Sequence, residues 1–187
     1  MSFFYFLSLD YVAATLLIGG VGHVLGISRF RDLVRNHNIV PSRFATATAV
    51  LVIAFELMAG SASLAVLLNQ QIAPRSSLVF AICAVAGSAF AFYIWRLLSH
   101  PEGVSSCGCS PFAGPLTPIS IVPALALLLM SLLGLLAAGL GFGQSLAVTY
   151  ELLGIAVALP IAWGVTLALL VLLLPASMPS LATNGRW

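Results

Sequence analysis

Three places in this chain carry residue types and spacings that can do chemistry. The first is Cys107-Gly108-Cys109, in a polar connection that begins at Ser99 and continues into Ser110 and Pro111. A disulfide needs α-carbons within about 4.4–6.8 Å. Residues two apart in a bent chain can meet that, because Gly108 is free to adopt unusual backbone angles. The ring so formed is small and strained, which favours the dithiol and makes the bond labile and oxidising. Such a pair suits thiol exchange better than stapling. Two thiolates at this spacing can also clip a soft ion such as Cu(I), or Zn with further ligands, and His100 is the nearest helper. Two inert loop cysteines are the third reading.

The second place is Glu56, inside the run Phe55-Glu56-Leu57-Met58-Ala59-Gly60. A carboxyl at mid-membrane costs roughly 2.5–3.5 kcal/mol even on insertion scales, so such residues face a bundle interior and mark function. A neutral acid hydrogen-bonded to another helix is the structural alternative. The third is His23, on a stretch holding Gly19, Gly20, Gly22 and Gly26. It reads either as a packed histidine bonded to a neighbouring backbone or as a proton or quinone contact near the membrane surface. The remaining cysteine, Cys83, falls most of a helix away from Cys109 and reads as a small buried hydrophobe.

The elements that must position these groups are membrane helices. Of the 187 residues, 61% are hydrophobic and 6% charged, with mean hydropathy +1.13, against about 25% charged in soluble domains. A spanning helix needs about 20 apolar residues. Five stretches qualify, at roughly residues 9–27, 45–68, 77–98, 117–140 and 150–174, so the expected fold is an all-α polytopic bundle forming one membrane domain over residues 1–187. Phe3, Phe4, Tyr5 and Phe6 read as an aromatic belt at the interface with Asp10 at the same edge, and the Gly22-x-x-x-Gly26 spacing admits close approach of a neighbouring helix. No charge precedes Asp10, so the first apolar segment is expected to remain in the mature protein.

Residues 28–44 form a basic interfacial loop. Arg29, Arg31, Arg35 and Arg43 alternate there with Phe30, Leu33 and Val34, which predicts a short helix lying in the interface and stopped before Pro41. Residues 99–116 form the Cys-Gly-Cys loop, and residues 175–187 a flexible tail. All seven Lys+Arg positions are arginine. With five spans, Arg29, Arg31, Arg35, Arg43, Arg96 and Arg186 fall on one side against Arg75 on the other. The positive-inside rule then sets the N-terminus outside and the first loop, with the cysteine pair, in the cytoplasm of an inner-membrane protein. A net charge of +2 offers no basis for a nucleic-acid partner. The bilayer is the partner the composition demands.

Together, the Gly-x-Gly-His of Gly20 to His23, the basic amphipathic stretch leading to Val40-Pro41, the Phe55-Glu56-Leu57 and Gly60 of the second span, and Cys107-Gly108-Cys109 resemble the methylamine utilisation protein MauE family, within the wider DoxX-like group. The resemblance covers about residues 10–120. It implies a four-helix core plus one, and thiol-disulfide handling during maturation of an exported methylamine dehydrogenase. Residue by residue, it carries over Cys107 and Cys109 as the redox pair, Glu56 as the buried acid and, less closely, His23. Two positions depart: Ser110-Pro111 stands where a phenylalanine often follows the second cysteine, and Arg29 or Arg31 takes the place of a common lysine. Acting on an exported protein calls for cysteines at the outer face, whereas the arginines place them inside.

The expectation is therefore a membrane thiol-disulfide redox protein with a thiol- or disulfide-bearing partner, in which Glu56 and His23 handle protons or contact a quinone. A structural subunit of a larger membrane complex, or a metal-handling protein using Cys107, Cys109 and His100, are the alternatives.

Overall fold

A computed structural model describes residues 2–37, 39–68, 76–99, 116–140, 165, 166 and 168. It is all-helical among the described residues. In chain order come α1 (Ser2–Leu25), α2 (Ile27–Asn36), a 3-10 turn (Ser42–Phe44), α3 (Ala45–Leu68), α4 (Ser76–Ser99), a second 3-10 turn (Pro118–Ile121) and α5 (Val122–Gly139). Four stretches are long and apolar enough to cross a membrane: Phe4–Leu25, Ser42–Leu68, Ser76–Ser99 and Pro118–Gly139. They match the first four predicted spans. The predicted fifth, 150–174, lies mostly outside the described residues, within which Val165, Thr166 and Ala168 are helical.

The four spans run up, down, up, down. Tyr5 and Phe6 meet Val66, Phe80 and Ala137 near one end, while Leu16, Ala59, Cys83 and Leu127 share a second cluster further along. Helix α1 is the central element, packed mainly on α3 and α5, whereas α4 packs chiefly on α5 and touches α3 little. Close approach relies on glycine, since membrane helices associate by van der Waals fit rather than by expulsion of water. A Cβ on Gly20 would sit 2.9 Å from Leu57 Cδ2, and one on Gly60 2.8 Å from Leu17 Cγ. On the other pair, Gly87 admits the backbone of Leu128, 2.8 Å from where its Cβ would be.

The N-terminal segment differs from its expected role. Helix α1 starts at Ser2, and Tyr5 and Phe6 are core residues rather than an interfacial belt. Tyr5 sets its ring edge-on to both Phe6 and Phe80, with centroids 5.5 and 5.8 Å away. Asp10 is not at the edge either: it lies about 12 Å along the helix from Ser2 at a rise of 1.5 Å per residue and is buried. Its carboxyl accepts a hydrogen bond from the Val165 backbone. Its Oδ2 has no hydrogen-bond partner among the described residues. Cys83 is fully buried, as its apolar surroundings predicted.

The basic stretch forms the predicted short helix. In α2, Phe30 and Val34 turn inward against Ala45, Ala49 and Ile53 of α3, and Arg29, Arg31, Asp32 and Arg35 are exposed. Gly26 makes the bend into it, with φ −113° and ψ 31°. In a straight helix His23 and Phe30 would be about 10 Å apart along the axis, yet their rings stack with centroids 4.0 Å apart. Helix α2 is thus folded over the end of the bundle, and Gly26 serves that bend rather than contact with another span.

Candidate functional site

Beneath α2 the bundle opens into a cavity of about 280 Å³, walled by all four spans and capped by α2. Its surface is mostly apolar, from Leu16, Phe30, Val34, Val52, Phe90 and Leu127, with Thr15, His23, His37, Thr48, Glu56 and Tyr93 as the polar exceptions. An apolar pocket with a few convergent polar groups is the usual form of a small-molecule site.

His23 and Glu56 meet in it. Counting residues from the helix ends puts them at different depths, but side chains lean toward the N-terminus of their own helix. Because α1 and α3 are antiparallel, His23 leans inward along α1 and Glu56 leans outward along α3, so the two converge. Gly19 makes room: a Cβ there would lie 3.5 Å from Glu56 Oε1. His23 Nε2 and Glu56 Oε1 are 3.9 Å apart, both residues are buried, and the imidazole is held in place by its stack on Phe30. That separation exceeds a hydrogen bond of about 2.7–3.2 Å, so neither group satisfies the other. Glu56 Oε2 has no hydrogen-bond partner among the described residues. The pair can hold and exchange a proton with whatever occupies the cavity.

A second polar contact lies on another wall. His37, at the end of α2, is buried, and its Nδ1 shares a hydrogen bond with the Tyr93 hydroxyl of α4. The sequence places His37 in a charged loop and Tyr93 near the end of a span, which gives no hint that they meet. The missed signal is periodicity: Phe30, Leu33, Val34 and His37 follow the i, i+3, i+4, i+7 pattern of one helix face. All four line the cavity.

The described arginines, Arg29, Arg31, Arg35, Arg43 and Arg96, all lie at the cavity end of the bundle. Cys107 and Cys109, and with them His100, lie outside the described residues. Helix α4 ends at Ser99 and the turn before α5 starts at Pro118, both at the cavity end. The cysteines fall in the chain between these two points.

In comparison with known proteins, the chain matches the family model of methylamine utilisation protein MauE over residues 1–140. It matches no curated protein and no solved structure. The matched stretch takes in α1 to α5, the His23 and Glu56 pair and Cys107-Gly108-Cys109, so this multi-pass membrane protein belongs to the methylamine utilisation protein MauE family.

Proposed function

We propose that the protein is a membrane thiol-disulfide redox protein, in which Cys107 and Cys109 exchange electrons with a partner undergoing maturation, in the manner that family membership suggests for methylamine dehydrogenase. The observation that carries this reading is the buried His23 and Glu56 pair, with Glu56 Oε2 lacking a partner among the described residues, lining a cavity at the end of the bundle where the helices flanking the cysteine segment terminate. Oxidation of a partner dithiol by the Cys107–Cys109 disulfide breaks that S–S bond, forms the partner's, and leaves two thiols. Resetting the pair requires two electrons and two protons to leave together. An imidazole beside a carboxyl is suited to moving the protons, and a positioned acid or base is worth typically 10²–10⁴ in rate. Positive charge beside a thiol favours the attacking thiolate, and Arg29, Arg31, Arg35, Arg43 and Arg96 gather at the end of the bundle where the described helices flanking the cysteine segment terminate.

Cys109→Ser is expected to trap a mixed disulfide with the partner or to abolish its oxidation. Normal maturation by the Cys107→Ser/Cys109→Ser double variant would sink the reading. Glu56→Gln, which keeps shape and removes the proton-carrying acid, is expected to slow partner oxidation about 10²-fold at unchanged protein level. Orientation is tested with a membrane-impermeant thiol reagent in a Cys83→Ala background. The arginines predict labelling of the pair only after the membrane is opened; labelling of intact cells after reduction would overturn that orientation and set the pair at the outer face.

A further inference from the structure

One wall of the cavity is shared. Thr48, Val52, Ala89 and Phe90 line it and also line a second, shallower space of about 550 Å³ between α3 and α4. The rest of that groove is apolar, with Leu51, Phe55, Ile82 and Val85 among its walls, and Leu51 and Val85 are 69% and 71% exposed. In a spanning bundle those side chains face acyl chains. The groove exists because α3 and α4 are the least intimately packed neighbours, while α1 holds α3 and α5 holds α4. A polar-ended chamber is therefore separated from a lipid-facing apolar groove by only the side chains of Thr48, Val52, Ala89 and Phe90.

The geometry points to an isoprenoid quinone as the occupant, its ring in the cavity and its tail in the groove between α3 and α4. Four features select it. The ring's two oxygens need hydrogen-bonding groups, and the cavity lining holds two sets: His23 with Glu56 from α1 and α3, and His37 with Tyr93 from α2 and α4. Glu56 is 7% exposed and lines the cavity, and its Oε2 has no partner among the described residues. Among the described residues no arginine lines the chamber, so a phosphate headgroup would find a carboxyl and no described counter-charge. Phe30 and Phe90 supply flat apolar surface for a ring.

The choice of a quinone over another tailed molecule rests on the redox reading above; the chamber and the groove do not. In the coupled step the two thiol S–H bonds of Cys107 and Cys109 break and their S–S bond forms. The two electrons reduce the quinone, and the two protons end on its oxygens as quinol hydroxyls.

The test is photolabelling with an azidoquinone carrying a short alkyl tail, on the full chain in lipid nanodiscs, with peptides mapped by mass spectrometry. Label is expected on α3 and α4 around Val52 and Ala89, and excess decylubiquinone should remove it. Ala89→Trp, at an exposed position on the shared wall, should cut labelling at least tenfold, and Leu136→Trp on the exposed face of α5 should not. Label spread evenly over lipid-facing surfaces, label indifferent to competitor, or full labelling of Ala89→Trp would overturn the proposal. Thermal melts of both tryptophan variants show that they are folded, and the competition arm needs no variant at all. The Cys107→Ser/Cys109→Ser protein separates the two proposals. It should label as the parent does, so competed label in a protein that matures its partner without the cysteines keeps the site and removes the thiol role. Loss of site-specific label while Cys109→Ser still traps a partner keeps the thiol role and removes the quinone.

Discussion

The same four helices make two very different halves. At the end holding the N-terminus of α1, Tyr5, Phe6, Leu9, Val66, Phe80 and Ala137 form a dense core, and α5 comes so close to α4 that a Cβ on Gly134 would stand 2.2 Å from Phe80 Cε1. At the other end, under α2, the helices part around a cavity of about 280 Å³ lined by Glu56, whose Oε2 has no partner among the described residues. Lipid offers helices little hydrophobic reason to associate, so close fit must hold them together. The dense half supplies that fit. Buried polar atoms without a partner among the described residues occur in both halves, Ser8 Oγ and Asp10 Oδ2 toward the dense end and Glu56 Oε2 in the open one, but Glu56 lines a cavity where a bound group could satisfy it.

The strongest way to break this division is to repeat one substitution in both halves. Phe80 is fully buried and locked edge-on to Tyr5, so Gly134→Ala forces an aromatic ring or a helix to move, and overpacking of this kind costs typically 1–3 kcal/mol and occasionally more. Gly19→Ala adds the same methyl beside Glu56 at ordinary contact distance, 3.5 Å. It should change stability by no more than about 0.5 kcal/mol, while reducing the room for any cavity occupant. Denaturant titration in detergent followed by circular dichroism reads both. Equal costs for the two glycines would mean that the dense half is not the clamp.

A smaller effect sharpens the role of α2. The His37 and Tyr93 contact ties the helix that caps the cavity to α4, bridging positions 56 residues apart. Tyr93→Phe keeps the ring and removes the hydroxyl, so the expected loss is about 1 kcal/mol, that of a net hydrogen bond. The loss should come with faster amide exchange in α2 and unchanged exchange around Phe80. Uniform loosening of the whole bundle would show that α2 is part of the clamp and not a separable cap.

How much of this was legible in the sequence depends on which half is read. Four spans and their antiparallel order follow from apolar length alone, and α2 follows from arginines alternating with Phe30, Leu33 and Val34. Tyr5 and Phe6 were misplaced, while Phe4 is exposed as read, because Phe and Tyr suit a membrane interface and a packed core equally, and only the positions of α3, α4 and α5 decide between them. Glu56 and His23 stood out singly, since each is expensive in a span. Their meeting did not, because residue counts give axial depth but not the opposite lean of side chains on antiparallel helices. The cavity and the groove beside it left no local signature at all: both arise from α3 and α4 failing to close, a property of packing rather than of any motif.

The smallest expected effect concerns the charges that dominate α2 to the eye. Arg31 Nη2 lies 2.9 Å from Asp32 Oδ1, and Nε 3.0 Å from the same oxygen. Both side chains are about half exposed and are neighbours in sequence. An exposed pair is screened by water and salt and is worth about 0–1 kcal/mol. This one also ties no element to another, in contrast to the His37 and Tyr93 contact. Arg31→Ala should therefore shift the unfolding free energy by less than about 0.5 kcal/mol, with little difference between low and high salt. A loss matching that of Tyr93→Phe would mean that the outer, charged face of α2 holds the cap down as firmly as the inner one, through contacts with lipid headgroups rather than with Asp32.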